Sequence, residues 1–112
     1  MKSIKYILAA IIVAFTTQLY AQKTVETASV KVSGNCGMCK TRIEKAAKLA
    51  GAATADWNQS TKQLRITFDK SKTNVDKVSK AIAAVGHDTE KYKADAQTYN
   101  ALPACCKYPR GK

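Results

Sequence analysis

Between residues 25 and 92 the apolar positions change period repeatedly, and the order of those periods restricts the fold more than any other property of the chain. Ala28, Val30 and Val32 alternate with Thr27, Ser29 and Lys31, the period-two pattern of a strand with one buried face. Gly34-Asn35-Cys36-Gly37 breaks the pattern with residue types suited to a loop. From about Met38 the spacing becomes helical. Ile43, Ala46, Ala47 and Ala50 share one face, Lys40, Arg42, Glu44, Lys45 and Lys48 occupy the other, and Gly51 ends the helix. Ala53, Ala55 and Trp57, then Leu64, Ile66 and Phe68, alternate on either side of the polar Asn58-Gln59-Ser60-Thr61, which predicts a hairpin. Thr73 is placed to cap a second helix carrying Val75, Val78, Ile82 and Val85, closed by Gly86. Residues 89–92 read as a short last strand.

Strand, helix, strand, strand, helix, strand is the order of an α+β, ferredoxin-like βαββαβ sandwich, with both helices on one face of a four-stranded antiparallel sheet. The alanine-rich first helix leaves core volume to the larger Val, Ile, Leu and Phe residues, and Trp57 is most simply a packed or rim aromatic. With 112 residues, 46% hydrophobic and 24% charged, the chain is globular in composition and too short for a multidomain enzyme. The expected organisation is a signal peptide over 1–21, one domain over 22–93, and a C-terminal tail over 94–112 that holds Pro103, Cys105, Cys106 and Pro109.

The first 21 residues combine Lys2 and Lys5 with an apolar run from Tyr6 to Phe15 and a small residue, Ala21, before Gln22. Ten apolar residues span about 15 Å as a helix, half of a ~30 Å hydrocarbon core, so a cleaved signal peptide is favoured over a transmembrane anchor. Removing it lowers the formal charge of +11 to +9, and the mature chain is expected in an exported location, a bacterial periplasm. An oxidising compartment permits a C-x-x-C pair to be structural, redox-active or metal-bound.

Cys36 and Cys39 lie where the first strand passes into the first helix, and a C-x-x-C turn there brings two sulfurs to one side of the chain. The helix start and Lys40 are both expected to lower the Cys39 thiol from about 8.5 toward neutrality. Thiolates are soft ligands, and two of them without further donors suit Cu(I) better than tetrahedral Zn(II).

These residues resemble the heavy-metal-associated domain family. The resemblance rests on the loop position of Cys36 and Cys39, on Arg42-Ile43-Glu44 after them, and on Gly86-His87-Asp88-Thr89-Glu90 after the second helix. It implies a ferredoxin-like fold that binds a soft metal through Cys36 and Cys39 in an exposed loop and hands it to a partner by ligand exchange. The family's usual Met-Thr before the first cysteine is Gly34-Asn35 here; that Met normally packs beneath the loop. His87 falls in the loop that the family places beside the metal, as an auxiliary ligand or a surface histidine. Cys105 and Cys106 lie outside the family's domain and have four readings: thiolates added to the loop site, disulfide partners of Cys36 or Cys39, independent capture of metal, or no role. A bridge between these adjacent residues is disfavoured by geometry. Met38 is assigned to loop packing.

The resulting expectation is an exported, non-enzymatic metallochaperone or scavenger for Cu(I), with Hg(II), Zn(II) and Cd(II) as alternatives. Its partner is expected to be a metal-transport or efflux protein with an acidic docking surface, and the chain itself a monomer or a metal-bridged dimer. Two other classes compete. A thioredoxin-like oxidoreductase also starts a helix with C-x-x-C, but the preceding Trp, a suitably placed Pro and the element order are wanting. A structural disulfide or zinc module would use all four cysteines for stability. Nucleic-acid binding is disfavoured, because the middle strands offer only Phe68 and Trp57 for stacking and the lysines are spread over every element.

Overall fold

Three strands form an antiparallel sheet in which the last in sequence lies at the centre: β1 (Val25–Lys31), β3 (Gln63–Asp69), β2 (Thr54–Trp57). This is a computed structural model, and it describes residues 24–111; the expected signal peptide lies outside them. Register puts Val30 opposite Leu64 and Trp57 opposite Leu64 from the other side, with Ala28 and Ala55 flanking Ile66 in the same way. The alternating residues of all three strands therefore share one apolar face, as their period requires.

Helix α1 (Gly37–Leu49) and helix α2 (Val75–Ala84) cover that face. α1 buries Ile43, Ala46 and Ala47, and α2 buries Val78 and Ile82 against the same core. Gly51 adopts φ +111° after α1, and a Cβ there would stand 2.9 Å from the Thr73 Cβ. That close approach decides the start of α2. Thr73 is buried, its hydroxyl donating to the Ala50 carbonyl at 2.7 Å, so the capping position falls one residue later. Asn74 takes it, its side chain accepting the Lys77 N–H at 2.8 Å.

The ferredoxin-like arrangement of two helices over an antiparallel sheet holds, but the fourth strand is reduced to one bridge, between Val32 and Thr89. The start of a ladder is there. The Ser33 N–H donates to the Asp88 carbonyl at 2.8 Å, and the Glu90 N–H to the Lys31 carbonyl at 3.2 Å. Further pairing fails because residues 89–92 close into a turn: the Thr89 N–H donates to the Tyr92 carbonyl, while the Thr89 hydroxyl accepts the Lys91 and Tyr92 N–H groups. The Lys31 N–H is satisfied by the Glu90 carboxylate at 3.0 Å.

The remaining chain packs back onto the domain. Helix α3 (Ala96–Asn100), capped by the Asp95 side chain, leads through Leu102 and Pro103 into a 3-10 turn, Ala104–Cys106. Leu102, Cys106 and Tyr108 are buried and belong to the same core as the sheet. No helix among the described residues is long and apolar enough to cross a membrane.

Candidate metal centre

The loop between β1 and α1 is held from beneath and from the side. Beneath it lies the Trp57 indole, only 1% exposed, whose Nε1–H donates to the Val32 carbonyl at 3.0 Å. A Cβ at Gly34 would stand 3.0 Å from the indole Cη2 and 3.1 Å from the Cys39 Cβ, so glycine at 34 lets the loop rest directly on the ring. At the side, the β2–β3 turn offers its side chains to the loop's carbonyls. Lys62 Nζ donates to the Gly34 carbonyl at 2.7 Å and Gln59 Nε2 to the Asn35 carbonyl at 2.6 Å. Lys62 is the one non-glycine residue with positive φ (65°) among those described.

Cys36 caps α1 with extended backbone, and Cys39 lies in the first turn. Their Sγ atoms are 3.3 Å apart. The two thiols differ in environment, and in the opposite sense to the sequence expectation for Cys39. The first-turn N–H of Cys39 is aimed at the Cys36 sulfur, which lowers that thiol to about 6, with help from the neighbouring thiols and against some desolvation. Cys39 is fully buried, and burial pushes it up to about 11. Lys40 does not assist. Its ammonium turns away to Glu44, to Asp56 at 2.7 Å and to the Trp57 carbonyl at 2.9 Å.

The C-terminal segment brings its cysteines to the same place. Cys106 Sγ stands 3.4 Å and Cys105 Sγ 3.3 Å from Cys36 Sγ, and the two arm sulfurs are 3.9 Å apart. All four cysteines are free thiols. The sulfurs of Cys36, Cys39 and Cys106 lie within 4.8 Å of one another, an arrangement that can hold a soft metal ion. Met38 is 54% exposed, with its Sδ 3.6 Å from Cys105 Sγ.

His87 is outside this sulfur group. It is buried, with Nδ1 2.8 Å from the Ser33 carbonyl and Nε2 3.4 Å from Arg42 Nη1. The carbonyl fixes the tautomer with the proton on Nδ1, leaving Nε2 to accept from Arg42. Arg42 Nη1 also reaches Cys106 Sγ at 3.3 Å, so the imidazole orients the guanidinium and the guanidinium meets the sulfur. Sequence reasoning placed Arg42 in a motif without a task and missed Tyr108, Asp88 and Arg110, which dock the segment after residue 93. The available signal was three tyrosines, Tyr92, Tyr99 and Tyr108, concentrated near one end of a chain with few aromatics.

Burial holds the His87 imidazole below its usual pKa near 6.5, and the Arg42 charge adds to this against the Ser33 carbonyl and Asp88. The unfolded chain therefore binds a proton below pH 6.5 that the folded chain resists, and stability falls as pH drops from 6.5. Urea unfolding at pH 7.5 and 5.5 is expected to show a larger loss for the wild type than for His87→Asn. Cys36 contributes a loss of the same sign to both, so the difference isolates the imidazole. Equal losses would place the proton elsewhere.

No family model matches the chain. It is 34% identical over 67 residues to a copper-exporting P-type ATPase of Staphylococcus aureus, a match covering 58% of this chain but only 8% of the ATPase. It is also 34% identical over 64 residues to the mercuric transport protein periplasmic component of Pseudomonas aeruginosa, covering 55% of this chain and 70% of that protein. The chain belongs to the heavy-metal-associated domain family. Solved structures agree. The CopZ metallochaperone aligns with TM-score 0.54 and 32% identity over 57% of this chain and 98% of its own. Oxidized MerP from Ralstonia metallidurans aligns with TM-score 0.55 and 32% identity over 59% and 94%. Each of these matches covers less than three-fifths of this heavy-metal-associated protein.

Proposed function

We propose that the protein binds Cu(I) between the thiolates of Cys36 and Cys39 and passes it on by ligand exchange, acting as a carrier or scavenger and not as an enzyme. The observation that carries this reading is the pair of sulfurs 3.3 Å apart on a loop braced by Trp57, Lys62 and Gln59, one sulfur half-exposed and the other buried. Relatives named as a copper-exporting ATPase, a metallochaperone and a mercuric transport component support soft-metal cargo. Cys36, whose thiol is lowered to about 6, is the end of the pair that an incoming partner thiolate replaces first, and it leaves as a thiolate. Cys39 stays on the ion until the second exchange.

The same reading makes residues 1–21 a signal peptide, 22–93 the metal-binding domain and the location a periplasm. Its net charge of +9 after cleavage would then steer the chain toward an acidic face on a transport or efflux partner.

The test is to load the reduced chain with Cu(I) against a competing chelator and to compare Cys36→Ser/Cys39→Ser. One tightly held ion in the wild type and none in the double variant is the expected result. No tight binding by the reduced wild type would sink the copper reading, and a preference for Hg(II) in the same competition would replace the cargo.

A further inference from the structure

The segment after residue 93 is fastened to the domain with more contacts than a loose tail would make, and the fastening ends at the sulfurs. Arg110 clasps Asp88 through both carboxylate oxygens, at 2.9 and 3.0 Å, and lies over the Tyr99 ring at 4.7 Å. Tyr108 stacks on His87 with ring centroids 5.7 Å apart, and its hydroxyl donates to the Gly86 carbonyl at 2.7 Å while accepting the Asp88 N–H at 2.8 Å. Two residues before Tyr108, the 3-10 turn buries Cys106 and leaves Cys105 exposed.

We propose that this arm supplies a third thiolate, so that Cys36, Cys39 and Cys106 form one three-coordinate Cu(I) site closed by the chain itself. The inference rests on the copper reading above and adds a ligand to it. At metal–sulfur bonds of about 2.3 Å, sulfurs on opposite sides of an ion stand ~4.6 Å apart, and sulfurs at the corners of a triangle ~4 Å. The separations of 3.3 and 3.4 Å, with the third within 4.8 Å, fit a triangle after a small expansion. Cys105 is exposed, meets Cys36, Cys106 and the Met38 thioether, and falls outside the group of three sulfurs that lie within 4.8 Å of one another, so it does not complete a tetrahedron.

Charge points the same way. Three thiolates around a monovalent ion carry two negative charges, and the Arg42 guanidinium already stands 3.3 Å from the Cys106 sulfur. Its contact is with the arm sulfur, the thiolate that the third ligand adds. Closing the site from within also changes its use. A partner thiolate must displace the arm or enter past Cys105, so the ion is retained longer than on an open loop.

The deciding measurement is X-ray absorption at the copper edge on the reduced full chain with one equivalent of Cu(I), together with chelator competition on variants. Three sulfurs are expected for the wild type and for Cys105→Ser, and two for Cys106→Ser. Retention by Cys106→Ser should fall at least as far as the roughly 10–100-fold seen when a group one layer out from a metal is lost, and Arg42→Gln should fall within that range. Two sulfurs in the wild type, with tight binding intact, would overturn the third ligand and leave the loop site standing. Absence of tight binding would overturn both. The wild-type coordination number decides the matter even where the buried Cys106→Ser change disturbs folding.

Discussion

Trp57→Ala is expected to cost about 3–5 kcal/mol of unfolding free energy, the range for truncating a large aromatic in a packed core. Domains of this size commonly hold ~5–15 kcal/mol in total, so the loss is a large fraction of what keeps the chain folded. The indole is at the crossing of three supports. It pairs with Leu64 on the sheet, donates to the Val32 carbonyl at 3.0 Å, and lies under Gly34 and Cys39. Alanine removes the ring and leaves the Val32 acceptor buried without its donor. It also opens a cavity directly below the cysteine loop. Trp57→Phe keeps much of the ring volume and loses mainly the N–H, so about 1–3 kcal/mol is expected for it. Chemical denaturation followed by far-ultraviolet circular dichroism measures both, since Trp57 is the only tryptophan. A loss below about 1 kcal/mol for the alanine variant would show that the loop does not rest on the ring.

The part of this fold that periodicity could reveal is the part built by periodicity. Val30, Ile43, Leu64, Ile66, Phe68, Val78 and Ile82 repeat at strand or helix spacing and are buried as that spacing requires. The fourth strand, expected over residues 89–92, had no apolar alternation to carry it, and its outcome was settled by a side chain: the Thr89 hydroxyl closes a turn there. The cysteine loop was legible from its spacing and its place before a helix. The environment of its two thiols was not, because pKa follows burial and the aim of one N–H, and both depend on which way α1 faces. Lys40 shows the same gap. It follows Cys39 in sequence, yet Asp56, 16 residues away, takes its charge. The arm was the least legible element, because its attachment is made by isolated polar and aromatic contacts across the fold, such as Tyr108 to Gly86 and Arg110 to Asp88, with no repeat to announce them.

Those isolated contacts make Tyr108 the second position where a large effect is expected. Its ring is buried between His87 and the edge-on Tyr99, whose centroid is 5.0 Å away, and its hydroxyl bridges Gly86 and Asp88. Tyr108→Phe removes only the bridge and strands a buried donor and acceptor, for about 1–3 kcal/mol. Tyr108→Ala removes the stack as well, for about 3–5 kcal/mol, and the loss is expected to fall on the arm before the sheet. Amide hydrogen exchange separates the two. Protection at Asp88 and in the 3-10 turn should drop in both variants, while β3 keeps its protection in the phenylalanine variant. Alkylation of Cys106, buried in the wild type, should rise in the same order, from wild type through Tyr108→Phe to Tyr108→Ala. An unchanged Cys106 labelling rate in Tyr108→Ala would mean that the sulfur is held by the 3-10 turn and Leu102 alone. The position of Leu102 makes that outcome unfavourable: its side chain sits against Gly86, where φ is +108° and a Cβ would stand 2.9 Å away, in the same short segment whose carbonyl Tyr108 holds. Freeing the tyrosine therefore loosens the surface on which Leu102 rests, and the two contacts are expected to fail together.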